Sequence, residues 1–158
     1  MDVLVALAVS IAILIAGWTY VALELAALPV WAGIVAWGCF FAAGGKTTGL
    51  SKTIAANLSG VLWAFLALTA WKSLGGGVPV LSVLVGLAAL FMVLQSKIAA
   101  LSFIPGAFLG AATAVGVVVG ANGSWTKTII ALVVGAVLGY VSELLAGAMS
   151  RKPRRATA

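Results

Sequence analysis

Six polar side chains lie within or at the ends of long apolar runs, and they are the residues best equipped for chemistry: Asn57, Ser59, Gln95, Ser102, Thr113 and Glu143. A carboxamide both donates and accepts hydrogen bonds, and a hydroxyl does the same on a smaller scale, so the set suits a neutral polar solute better than an ion. Asn57 and Thr113 also have plainer readings, as an interhelical bond and a hydroxyl bonded back onto its own helix. Glu143 is the one acid well inside an apolar run. Its charge needs a partner there; Lys46, Lys97 or the basic tail could supply one in a structural pair, with a gate or proton site as the alternative. With three acids, one cysteine and no histidine among 158 residues, acid–base, nucleophilic and metal chemistry have nothing to work with. The expectation is a protein that is not an enzyme and takes no cofactor and no metal.

The stretch GGKTTGLSKTIAAN at 44–57 raises the question of a phosphate-binding loop. Such a loop needs a further glycine five residues before Gly45 and a strand leading into it, but position 40 is phenylalanine and an apolar run precedes it. A polar hairpin fits better. Gly44, Gly45 and Gly49 allow the reversal, Thr47, Thr48 or Ser51 can cap the helix that follows, and the lysines favour the cytoplasmic side. An anion at that helix N-terminus is the functional alternative.

The elements that hold these residues must be membrane helices. The chain is 64% hydrophobic and 8% charged, with a mean hydropathy of +1.26, against about 25% charged in soluble domains. Apolar runs at about 3–23, 28–43, 51–71, 78–95, 99–119 and 126–149 read as six spans of an all-α membrane protein in one integral domain. They lack the alternation a barrel strand requires. With six spans both termini share a side. That side carries Lys46, Lys52, Lys97, Arg151, Lys152, Arg154 and Arg155, against Lys72 and Lys127 opposite, which predicts cytoplasmic ends. The acid in MDVLV and the lack of a convincing cleavage site argue that the first helix is retained. Cys39 is alone, so no intrachain disulfide is expected. The basic tail at 150–158 reads as a topology anchor touching anionic lipid, with no nucleic-acid partner.

SKTIAANLSGVLWAF at 51–65 and TKTIIALVVGAVLGY at 126–140 align at a shift of 75, and Leu28 and Gly33 meet Leu101 and Gly106 at a shift of 73. Two three-helix repeats, about 1–75 and 76–150, follow. An odd number of spans per repeat makes them inverted, with a route through the middle of the membrane. Asn57 and Ser59 face Leu132 and Val134 in this register, so the polar site is one-sided. Pro105 is expected to kink the fifth helix and free a carbonyl near Ser102. The glycine pairs 106/110, 116/120 and 135/139 are close-packing motifs. The tryptophans at 18, 31, 37, 63, 71 and 125 suit an interfacial belt, although Trp37, Phe40, Phe41 and Trp63 could instead build a constriction.

The segments WAGIVAWGCFFAAGG at 31–45, NLSGVLWAF at 57–65 and FMVLQSKIAALSFIPGAFLGAATAVG at 91–116 resemble the YcdZ type of small bacterial inner-membrane proteins, a family defined by a domain of unknown function. The resemblance runs from about Gly17 to about Leu145, and LSFIPGAFLGA is its most specific part. It implies six helices in the bacterial inner membrane and supplies no activity; the GGKTTG loop and RKPRR tail depart from it. The functional expectation is therefore a channel or facilitator for a small neutral polar solute, acting as a homo-oligomer in the lipid bilayer. The alternative is a structural or assembly subunit whose glycine faces dock on other membrane proteins.

Overall fold

The computed structural model describes residues 1–150, so the arginines and lysine of the tail at 151–155 lie outside the described residues. Among the described residues all regular structure is helical. Helix α1, Val3–Tyr20, is capped by Asp2, whose Oδ1 accepts from the Leu4 N–H at 2.9 Å. It runs on through a π-helical turn, Val21–Leu25, and stops where Ala27 takes a positive φ of 48° ahead of Pro29. There follow α2, Val30–Ala42; α3, Lys46–Ser73; α4, Val78–Leu94; α5, Ile104–Val115; and α6, Trp125–Ser150. A π-helical turn, Gly116–Gly120, extends α5, and two 3₁₀ turns, Gln95–Lys97 and Ala99–Leu101, join α4 to it.

Four stretches are long and apolar enough to cross a bilayer: Val3–Leu25, Lys46–Ser73, Val78–Lys97 and Trp125–Ser150. The helices Val30–Ala42 and Ile104–Gly120 are shorter. At 1.5 Å per residue α2 is about 20 Å long, less than the ~30 Å of a hydrocarbon core.

Two starts differ from the sequence reading, each for a physical reason. α3 begins at Lys46, so Thr47, Thr48 and Ser51 lie inside it and none of them caps it; the reversal is made by Gly44 and Gly45 at φ 97° and 66°. α5 begins at Ile104 with Pro105 in its first turn. A proline there gives up no intrahelical bond, because the first N–H groups of a helix have no partner within it. Pro105 therefore starts the helix instead of kinking it, and Ser102 sits exposed in the link before it.

The packing divides the helices into two groups. α6 lies chiefly against α2 and α1, and α3 chiefly against α5 and α4. α2 and α6 run parallel, with Ala32 near Ala131 at one end and Gly45, just past α2, against Glu143 at the other. α3 and α5 are also parallel, with Ala56 by Gly106 and Ala64 by Ala111. The outer pairs are antiparallel: Ser10 of α1 meets Ser142 of α6 while Trp18 packs with Ala131, and Trp63 of α3 meets Phe91 of α4 while Ala70 lies by Leu84.

Backbones touch where side chains vanish. A Cβ on Gly60 would collide with the Ala107 carbonyl, one on Gly110 with the Asn57 carbonyl, and one on Gly135 with the Gly33 carbonyl. Small residues let membrane helices approach this closely, so that van der Waals contact replaces the missing hydrophobic drive. The seam between the two groups is similar: Ala36, Leu132 and Ala136 from one side pack on Val61, Ala64 and Ala114 from the other.

Candidate functional site

Asn57 lies at this seam. Glycine at 110 lets α5 rest on the backbone at Asn57, and the residue is 1% exposed. Neither its Oδ1 nor its Nδ2 has a hydrogen-bond partner, and the Oγ1 of Thr53, one turn earlier and 0% exposed, has none either. The thiol of Cys39 on α2 lies beside the amide, but sulfur is a weak donor and weak acceptor and makes no hydrogen bond to it at bonding distance. Buried polar groups are nearly always satisfied, and an orphaned one calls for an explanation. Thr128, which matches Thr53 at the shift of 75, is equally buried but bonds to the Ser124 carbonyl at 2.9 Å.

Of the other expected site residues, Ser59 and Gln95 bond to one another. Ser59 donates to the Ala56 carbonyl at 2.7 Å and accepts from Gln95 Nε2 at 2.8 Å; Gln95 Oε1 accepts from Trp63 Nε1 at 2.8 Å. Trp63 also stacks on Phe91, 5.0 Å between ring centroids and 9° between planes. This closed chain ties the end of α4 to the middle of α3. Thr113 is buried on α5.

Glu143 accepts from the backbone N–H of Lys46 at 2.7 Å, so among the described residues its contact is the N-terminus of α3 rather than a lysine ammonium. Gly45 makes room for it, since a Cβ there would come within 2.9 Å of its carboxylate. The place that the alternative reading gave to an anion at this helix N-terminus is held by the protein's own carboxylate, favoured by the helix dipole. It also links the two helix groups at one end.

The four aromatic residues considered for a constriction do not form a single ring. Trp37 is buried against α6 and donates to Ser142 Oγ at 3.2 Å. Phe40 makes edge contacts with Phe41 and Tyr140 at 5.1 and 6.3 Å, while Trp63 belongs to the α3–α4 contact. Trp18 and Trp37 also leave the interfacial belt expected of them. Both are buried, and Trp18 lies over Gly33 with its Nε1 donating to the Val30 carbonyl at 2.9 Å. Sequence reasoning missed Thr53, Cys39 and the Ser10–Ser142–Trp37 cluster. For Thr53 a signal was present: it lies four residues before Asn57, hence on the same helix face.

Open clefts lie away from Asn57. One of about 390 Å³ is bounded by Lys46, Tyr140 and Glu143, one of about 460 Å³ by Pro29, Asn122 and Lys127 at the other end of α6, and an apolar one of about 510 Å³ lies between α3, α4 and α5.

Apolar helices of spanning length, short links and an inward-turned polar pair define a polytopic α-helical membrane protein. Residues 8–147 match the family described as "Protein of unknown function (DUF1097)", and the chain belongs to it. It is 35% identical over 146 residues to the inner membrane protein YcdZ of Escherichia coli K12, covering 90% of this chain and 85% of that one. It is 34% identical over 146 residues to YcdZ of Salmonella typhimurium LT2, covering 90% and 87%. Against the uncharacterized protein YahC of Escherichia coli K12 it is 35% identical over 124 residues, 70% of this chain and 68% of the other. No solved structure matches.

Proposed function

We propose that the protein is a facilitator for a small neutral polar solute, built from two inverted repeats of three spans each and working in the bacterial inner membrane with both termini in the cytoplasm. One observation carries this reading. Exchanging α1 with α4, α2 with α5 and α3 with α6 turns the α2–α6 pair into α5–α3 and the α1–α6 pair into α4–α3, with parallel and antiparallel senses preserved. Bodies that map onto each other from opposite faces have two equivalent ways to part, one towards each side, which is the geometry of alternating access. Their common seam of alanine, valine and leucine suits small sliding movements. Asn57 offers a polar station there, and the Glu143–Lys46 contact closes one end.

The names of the relatives and the lysine distribution support the location and orientation. On this reading the protein is not an enzyme and acts as a homo-oligomer in the bilayer. The alternative, an assembly subunit, would use outward faces. Its expected docking motifs are largely consumed inside the chain, because Gly106, Gly110, Gly135 and Gly139 all lie against neighbouring groups of the same molecule.

The test is flux. Purified protein in liposomes, shocked with a panel of small neutral solutes, should shrink and recover faster than protein-free liposomes for at least one of them. Equal rates across the panel would refute transport. A different protein recovered with it in fixed stoichiometry from native membranes would favour the assembly subunit.

A further inference from the structure

We infer that Asn57 and Thr53 together form the binding station, and that its ligand class is the small neutral amide or urea type: a carbonyl oxygen and an N–H on neighbouring atoms. The inference rests on the facilitator reading for how the ligand reaches the seam, but its chemistry is independent of flux.

The argument starts from what is left unpaired. A carboxamide presents its C=O and one N–H along the same edge, and in Asn57 both ends lack a partner at 1% exposure. A group with the opposite arrangement on one edge satisfies both at once through two N–H···O bonds. Amides and ureas carry that arrangement; alcohols carry both functions on one atom and can meet only one end in good geometry. The Thr53 hydroxyl, also unpaired, lies on the same face and can take the second N–H or lone pair of such a ligand. Ions do not fit. No charged side chain is among the buried residues of this seam, and a desolvated charge without a partner is the most costly group to bury.

Size follows from the walls. Gly110 brings α5 onto the Asn57 backbone and Gly60 brings the Ala107 carbonyl onto α3, while Ala36, Ala114 and Ala136 line the same seam. Only a molecule of a few heavy atoms can be held between helices that meet on alanine and glycine. The matching position in the second half is Leu132, 1% exposed, so the molecule holds one such station rather than two.

Cys39, the single cysteine, is buried beside Asn57 and reports on the station without substitution. In liposomes of phosphatidylethanolamine and phosphatidylglycerol, the full chain is treated with a small permeant maleimide, with and without acetamide, urea, sodium acetate or tetramethylammonium chloride. Acetamide and urea should slow alkylation of Cys39 by about tenfold at ten times the half-protecting concentration, as one-site occupancy requires; the two ions should not. Asn57→Leu should remain alkylated at its own basal rate and lose the protection, and Thr53→Val should shift half-protection to higher concentration. Three results would overturn the assignment: a thiol that never reacts in the folded protein, protection by the ions as well as the amides, or undiminished protection in Asn57→Leu. Protection without flux would leave the station standing and remove the transport reading. Flux without protection would do the reverse.

Discussion

Replacing Asn57 by leucine should stabilise the protein. The two side chains share one branched skeleton, so the substitution exchanges an oxygen and an amino group for two methyl groups and leaves no cavity. What is removed is a carboxamide with neither end bonded at 1% exposure. A buried polar group without a partner costs about 1–3 kcal/mol. Two effects reduce the gain: methyl groups are larger than the groups they replace, and overpacking a tight core costs about 1 kcal/mol or more; and polar groups in membrane proteins find partners before the fold is complete, which lowers the measured differences to about 0.6 kcal/mol on average. The net expectation is about 1 kcal/mol, a rise in Tm of about 2–4 °C for a chain of this size. Asn57→Ala removes the same amide but opens a void, so it should gain less or lose. Heating in detergent with a dye that fluoresces on reaction with a thiol follows the exposure of Cys39 directly. If Asn57→Leu unfolds at a lower temperature than the unsubstituted protein, the argument from an unpaired group collapses.

Three further outcomes test the packing. Gly60→Val and Gly135→Val force a side chain into a neighbouring carbonyl and should cost about 3 kcal/mol or more, seen as loss of folded protein in detergent chromatography, whereas Gly86→Ala, with open space around it, should gain up to about 1 kcal/mol from helix propensity. Glu143→Ala should lower stability by about 1 kcal/mol, the usual worth of a helix cap, with Glu143→Gln losing less because it keeps an acceptor for the Lys46 N–H; equal losses in the two would remove the capping role. Gln95→Leu breaks both bonds that tie α4 to α3 at about 1–2 kcal/mol in total. Hydrogen exchange in Val78–Leu94 should then quicken while α6 is unchanged.

How much of this was legible in the sequence depended on the range of the interaction. The helices follow from apolar runs punctuated by charge, glycine and proline, all local signals. The start of α3 could not be read, because its cap is Glu143, 97 residues away, and nothing within KTTG announces it. The start of α5 differs for another reason: an apolar run already under way makes Pro105 look like a helix breaker, whereas its missing N–H costs nothing in a first turn. Asn57 was legible because an amide amid apolar residues is conspicuous. Its lack of a partner was not, since that depends on which way three other helices turn. The same holds for Trp18 and Trp37. Tryptophan composition suggested the interface, but Gly33 supplies the hollow that draws one indole inward, and Ser142 supplies an acceptor for the other.

The pairing of α1 and α2 with α6 sets the order of assembly during synthesis. Ser10 waits 132 residues for the carbonyl it bonds, and Trp37 waits 105 for its serine. While the ribosome is still translating α3 to α5, the first two helices enter the bilayer with the Trp37 indole and their alanine faces unclaimed, and Ser10 has only the Leu7 carbonyl of its own helix. A chain that stops before residue 125 should therefore leave α1 and α2 without their main partner, while α3, α4 and α5 can still pack on one another. The last helix translated is the one that closes the first pair.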